Sequence, residues 1–311
     1  MNLKEKILLD LKIPDTLFDE AIFYSYSRVK KFHIPKKSGG FRTICQPSNK
    51  LKTIQYWLIN NLFNNLPVDK SAFAYIEGKS IVDNAKHHNP NQYFLKVDLK
   101  DFFPSIQYKD LKPVIKEWHD SCGPEWPFNR TTERIIKRSC FNNNNRLPIG
   151  YPSSPIISNI VMKPFDIEVD NLISRKQYIN VRYSRYADDL IFSTNKKGIC
   201  NLLLNDIKKL IINTKSPNIK INNNKINFSS AKGGSTILTG IRVAYDNHLT
   251  LHKKQKDHIR LLLSLYKKNA LDESEFESLK GHIFYSKFID PAFYTKIQNK
   301  FFKEINELTK L

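Results

Sequence analysis

In Asn180-Val181-Arg182-Tyr183-Ser184-Arg185-Tyr186-Ala187-Asp188-Asp189-Leu190-Ile191-Phe192-Ser193, strand-forming residues alternate up to Tyr186, break at Ala187-Asp188-Asp189 and resume as an apolar run. Two strands joined by a tight turn account for this pattern and put two adjacent carboxylates at the hairpin tip. Upstream, Tyr93-Phe94-Leu95-Lys96-Val97-Asp98 has the composition of a third strand, and it too ends on an aspartate. Three carboxylates on neighbouring strands repel one another and raise one another's pKa unless a cation lies between them. Hard divalent cations, Mg²⁺ above all, suit such a cluster and bring phosphates with them. Two such ions about 3.5–4 Å apart serve an in-line phosphoryl displacement. A lone Asp in a turn is ordinary, so the meaning of these three depends on their surroundings.

Around this centre the apolar spacing predicts helices. Ile157, Ile160, Val161, Phe165, Val169, Leu172 and Ile173 define one face, and Leu202, Leu203, Ile207, Leu210 and Ile211 another. Towards the N-terminus, Leu3, Ile7, Leu8 and Leu11 mark a first helix, and Leu51, Ile54, Trp57, Leu58, Leu62 and Phe63 a longer one. Between these, Gly39-Gly40 predicts a basic hairpin carrying Lys36, Lys37 and Arg42. From about His252 the chain turns helical and basic. Lys253, Lys254, Lys256 and Arg260 surround a stripe of Ile259, Leu262, Leu263 and Tyr266, and Phe293, Ile297, Phe301, Ile305 and Leu308 predict one last helix.

The whole chain has 311 residues, with 50 Lys+Arg against 30 Asp+Glu, a net charge of +20. At 41% hydrophobic residues it must bury a core, which excludes a disordered tail. So large a positive surplus points to a polyanion as partner, nucleic acid first. No apolar run reaches the roughly 18–20 residues of a membrane span, and the N-terminus lacks a signal peptide's apolar stretch, so a cytoplasmic protein is expected. Cys45, Cys122, Cys140 and Cys200 stand too far apart for a C-x-x-C pair and are expected to be reduced.

Val97-Asp98-Leu99-Lys100-Asp101-Phe102-Phe103-Pro104-Ser105-Ile106 resembles the first catalytic motif of reverse transcriptases, and Tyr186-Ala187-Asp188-Asp189 resembles their catalytic hairpin. Leu147-Pro148-Ile149-Gly150-Tyr151-Pro152-Ser153-Ser154-Pro155, running into Ser158-Asn159, is similar to the motif between those two. Lys225, in Ile221-Asn222-Asn223-Asn224-Lys225, resembles the lysine motif that follows. Order and spacing agree over about residues 36–245. Two further features resemble the retron branch. Asn84-Ala85-Lys86-His87-His88 matches its Asn-Ala-x-x-His signature, and Leu238-Thr239-Gly240 stands where Val-Thr-Gly is usual.

The resemblance implies an α+β right-hand polymerase: N-terminal helices and fingers over 1–90, a palm with finger insertions over 91–250, and a basic helical thumb over 251–311. It implies two Mg²⁺ ions held by Asp98, Asp188 and Asp189 with the Leu99 carbonyl, Asp98 and Asp188 being the direct ligands. Arg42 and one of Lys36 and Lys37 would meet the triphosphate, and Phe103 would exclude a ribose 2′-OH. Pro148 and Gly150 would shape the nucleotide's turn, with Ile149 where the family usually has Gln, and Lys225 would protonate or orient pyrophosphate. Asn84 and His88 would contact RNA, and Lys253, Lys254, Lys256 and Arg260 would grip the template–primer. Asp101 reads as a cap of the helix carrying Leu111, Val114 and Ile115.

The implied activity is reverse transcription of the protein's own structured non-coding RNA, primed from a guanosine 2′-OH to give a branched RNA–DNA hybrid. Deoxynucleotides are the substrates, and the setting is anti-phage defence with a separate effector protein. After a thumb of this size no room is expected for an RNase H, maturase or endonuclease domain. The alternatives are another small bacterial reverse transcriptase, of diversity-generating or abortive-infection type, and a non-catalytic RNA-binding scaffold. The three retained carboxylates weigh against the scaffold.

Overall fold

The computed structural model describes residues 1–36, 39–233, 236–246 and 248–309. Its N-terminal part holds α1 (Leu3–Leu11), α2 (Asp15–Phe23), the antiparallel ribbon β1 (Val29–Pro35) and β2 (Phe41–Pro47), then α3 (Asn49–Asn61). Local chemistry sets these boundaries. Asn2 and Glu5 form a reciprocal capping box for α1, Ser48 caps α3, and Gly39 and Gly40 supply the positive φ angles that reverse the ribbon.

Next come α4 (Ile81–His88), β3 (Tyr93–Asp98), α5 (Phe102–Ser105), α6 (Tyr108–Cys122), α7 (Arg130–Cys140) and α8 (Ser154–Ile173). The catalytic hairpin follows as β4 (Arg182–Tyr186) and β5 (Asp189–Thr194), then α9 (Ile199–Asn213) and β6 (Asn227–Ser230). The four strands form one antiparallel sheet in the order β4-β5-β3-β6. Strand alternation divides its residues between two faces. Leu95, Val97, Leu190 and Phe192 enter the main core with Ile157, Ile160, Phe165 and Ile207 of α8 and α9, so those helices cover that side. On the other side Phe94 and Ile191 pack against a small sheet of β7 (Ile237–Leu238), β8 (Ile241–Val243) and β9 (Leu249–Thr250). Asp98 and Asp189 lie further along that second side, directly opposite each other.

Residues 251–309 fold as α10 (Lys253–Lys267), α11 (Phe276–Ile289), α12 (Pro291–Lys300) and α13 (Phe302–Thr309) around their own core. The single last helix expected from Phe293, Ile297, Phe301, Ile305 and Leu308 is thus two, broken at Phe301 (φ −125°, ψ 44°). At 3.6 residues per turn a run of four-residue steps drifts about 40° per step around a straight helix. The break lets all five side chains stay buried. The expected boundary near residue 90 does not separate cores: α1 to α3 share one core with the palm sheet, while Val82 and Ala85 of α4 join the C-terminal core. No described helix is long and apolar enough to cross a membrane.

Candidate active site

Register builds the acidic centre. With Tyr186 paired to Asp189, the hairpin turns on only Ala187 and Asp188, and Ala187 takes a φ of +56° to do so. The Leu99 amide donates to the Asp188 carbonyl at 2.8 Å and ties the tip to the end of β3. Asp98 and Asp188 then line a cleft of about 310 Å³ that is also lined by Lys36 and Arg42 from the ribbon. Acid and base therefore share one cleft, as a nucleoside triphosphate with its metal requires.

Each carboxylate has a different partner. Asp98, 6% exposed, accepts from Lys225 Nζ at 2.9 Å and from Asn222 Nδ2 at 3.0 Å. Asp189 accepts from Lys96 at 2.7 Å and is not among the cleft-lining residues. Asp188 has no lysine partner among the described residues. Burial, then Asp189 and Asp98, push its carboxyl above the ordinary value, and burial does the same to Asp189 against the pull of Lys96. The bond to Asp98 raises the Lys225 ammonium in turn. Among the described residues, no three His, Cys, Asp or Glu side chains already converge as a cage. The lysines stand where a cation's charge is needed.

The aromatic pair behind β3 opens α5 and both rings border the cleft: Phe102 is otherwise buried in the core, while the partly buried Phe103 lies beside Tyr75, ring centroids 6.2 Å apart. Tyr75 was not expected from the sequence, and it takes a φ of +60°. A buried network fixes the start of its loop. Arg185 forks onto Asp166 of α8 (Nε–Oδ1 2.9 Å, Nη2–Oδ2 2.7 Å) and donates to Asn159 Oδ1 at 3.0 Å, while Asn159 Nδ2 donates to the Ala74 carbonyl at 2.8 Å.

Several expected residues lie elsewhere. Lys37 is outside the described residues. Pro148 is buried and Gly150 packs on the ribbon, so neither lines the cleft; Ile149 does, and its carbonyl accepts from the Cys45 amide at 2.7 Å. Asp101 stands at the N-cap of the short α5 but makes no side-chain cap bond, and α6, the helix it was expected to cap, is capped by a Gln107–Asp110 box instead. Asn84 and His88 are fully buried, which rules out the direct RNA contact expected of them. His88 bridges the hairpin strands, Nδ1 to Ser193 Oγ and Nε2 to Ser184 Oγ, each 2.7 Å. Ser184 donates its proton to Asn84 Oδ1 and Ser193 accepts from Asn91, so His88 is the neutral Nε2–H tautomer. Lys256 is held by Asp290 at 2.7 Å against Phe293, and Arg260 pairs with Asp257 at 2.9 Å; Lys253 and Lys254 are exposed.

Sheet, cleft, finger ribbon and C-terminal helices together are those of a right-hand polymerase. Among solved structures, apo telomerase from Candida tropicalis is similar in fold, with a TM-score of 0.53 at 13% identity over 91% of this chain and 58% of that one. This chain spans less than two thirds of the telomerase chain, and the likeness concerns fold alone. A family model described as reverse transcriptase (RNA-dependent DNA polymerase) matches residues 34–269. The retron Ec73 reverse transcriptase of Escherichia coli is 42% identical over 296 residues, 94% of this chain and 93% of that protein. The retron Ec83 reverse transcriptase of Escherichia coli is 35% identical over 280 residues, 88% and 86% of the two chains. The chain belongs to the reverse transcriptase family, in its bacterial retron branch, and is an RNA-directed DNA polymerase.

Proposed function

We propose that this chain copies part of its own structured non-coding RNA into DNA from a guanosine 2′-OH, leaving a branched RNA–DNA molecule. The particle so formed acts in the cytoplasm, with a separate effector protein, in anti-phage defence. The observation that carries the chemical part is the cleft itself, lined together by Asp98 and Asp188 and by Lys36 and Arg42. The relatives' names support the retron part.

The residues fit divalent cations: Asp188 is half-buried with no ion-pair partner among the described residues, and burial with Asp189 beside it raises its carboxyl, so that carboxylate is left for a cation to neutralise. Asp98, Asp188 and the Leu99 carbonyl would hold Mg²⁺, with Asp189 in support through Lys96. Bound there, two Mg²⁺ ions supply charge neutralisation for the attacking and leaving oxygens. The chain's own groups do the rest. Arg42 and Lys36 orient the triphosphate, Phe103 and Tyr75 bound the sugar, and Lys225, an ammonium held in the cleft by Asp98, stands ready to give a proton to pyrophosphate.

The test is to purify the protein with its nucleic acid and treat the extract with RNase and debranching enzyme. Branched DNA is expected from wild type and none from Asp188→Asn/Asp189→Asn. Identical nucleic acid from both would leave an RNA-binding scaffold. Linear DNA primed at a 3′ end would keep the polymerase and discard the retron priming.

A further inference from the structure

A second cationic feature lies apart from the cleft. α7 buries Thr132, Ile135, Ile136, Ser139 and Cys140, and its other side carries Arg130, Arg134, Lys137 and Arg138. Positions four residues apart lie about 6 Å apart along a helix axis and on one face, so these four form a row. With Tyr26 and Asn143 they border a groove of about 450 Å³ that shares no lining residue with the catalytic cleft.

The row is not neutralised. Glu133, the one acid of the groove, is engaged by Lys112 at 3.0 Å. Arg138 is fixed structurally, donating to the carbonyls of Ile22 (2.8 Å) and Phe23 (2.6 Å) and covering the Tyr26 ring at 4.7 Å. Arg130, Arg134 and Lys137 have no acidic partner among the described residues. Like charges at helical spacing repel, and of the unpaired three only Lys137, in the last turn, gains from the helix dipole, so the helix itself does not account for Arg130 and Arg134. They suit a polyanion, and guanidinium forks match phosphate oxygens two at a time.

We propose that the α7 groove binds the phosphate backbone of the structured RNA, anchoring it to the outside of the fingers while another part of the same molecule is copied in the cleft. The proposal rests on the RNA substrate argued above and adds a place to hold it. Phosphate contacts position a nucleic acid without reading its sequence. The phosphate backbone is the occupant the groove's guanidinium forks match two oxygens at a time, and RNA is the polyanion this polymerase already handles; an acidic protein is left as an outcome of the test.

The experiment fills the cleft of the intact protein with a poly(rA)–oligo(dT) hybrid and then titrates a labelled RNA stem-loop over a range of salt. Wild type is expected to bind the stem-loop on top of the hybrid. R130E/R134E/K137E is expected to bind it at least ~10-fold more weakly, with a salt slope smaller by about two to three, at roughly 0.7–0.9 per phosphate contact. Extension of oligo(dT) should be unchanged. R134A, melting like wild type, should lose affinity in the same direction and so separates lost binding from misfolding. Equal affinity in wild type and R134A, or no stem-loop binding once the cleft is filled, overturns the proposal. So does an acidic protein lost from the triple variant while stem-loop binding persists. A wild type that fails to extend oligo(dT) at all would instead sink the polymerase reading on which the groove's role rests.

Discussion

Asp188 weighs against the stability of the fold that presents it. Its folded pKa is raised by burial and by Asp189 and Asp98, so the unfolded chain holds the charge more readily and the penalty is fully present above the folded value. In divalent-free buffer at neutral pH, Asp188→Asn should therefore melt about 2–4 °C higher than wild type while losing at least ~100-fold in DNA synthesis. Adding Mg²⁺ should raise the melting point of wild type more than that of the variant. Phe103→Ala should raise ribonucleotide over deoxynucleotide incorporation by about 10–200-fold, read from single-nucleotide extension, if the ring facing Tyr75 bounds the sugar. Asp98, Asp188 and Asp189 were legible in the sequence because strand alternation and a turn signal fix where they stand. Lys96 and Asn222, which hold two of them, were not. Lys96 reaches Asp189 diagonally across β3 and β5, and that contact exists only once the register Asp98↔Asp189 is set.

At the scale of elements, α4 is the piece whose meaning the sequence hid. The RNA contact expected of its Asn-Ala-x-x-His run came from the resemblance alone, whereas tertiary packing turns Asn84 and His88 into the sheet to join Ser184 and Ser193, the structural role a histidine in a helix ordinarily has. His88→Ala strands two buried hydroxyls beside a cavity and should cost about 3 kcal/mol in urea unfolding. Burial holds the His88 ring well below 6.5, and His87 below it as well. As pH falls below about 6.5 the unfolded chain takes protons that the folded one refuses, so stability is lost by up to ~1.4 kcal/mol per pH unit for each group. Melting curves from pH 7.5 to about 5.5 should show this slope in wild type and a shallower one in His88→Gln. Gly150 governs another junction. At φ +102° its added Cβ would lie 2.7 Å from the Cys45 carbonyl and 2.8 Å from Ile44 Cγ2, so Gly150→Ala should cost about 2 kcal/mol and loosen the β1–β2 ribbon, raising the KM for nucleotide.

Across the whole molecule, part of the surplus of +20 is gathered in three places: the cleft, with Lys36 and Arg42, the row on α7, and exposed Lys253 and Lys254 on α10. Template–primer affinity should fall steeply with salt, by roughly 0.7–0.9 in log K per log salt for each phosphate contact, measurable by fluorescence anisotropy. The division into helical ends and a mixed middle was legible from apolar spacing, since periodicity reports which face is buried. It does not report against what, so the sharing of cores was not legible. That sharing bears on how far the polymerase can be taken apart. α4 turns His88 to the catalytic hairpin and Val82 and Ala85 to the helices after residue 251, so the thumb's core is completed by residues far upstream. A chimera that exchanges only the last fifth of the chain for a relative's would leave that apolar seam mismatched; the transplantable unit is discontinuous, and it includes a helix that also braces the catalytic hairpin.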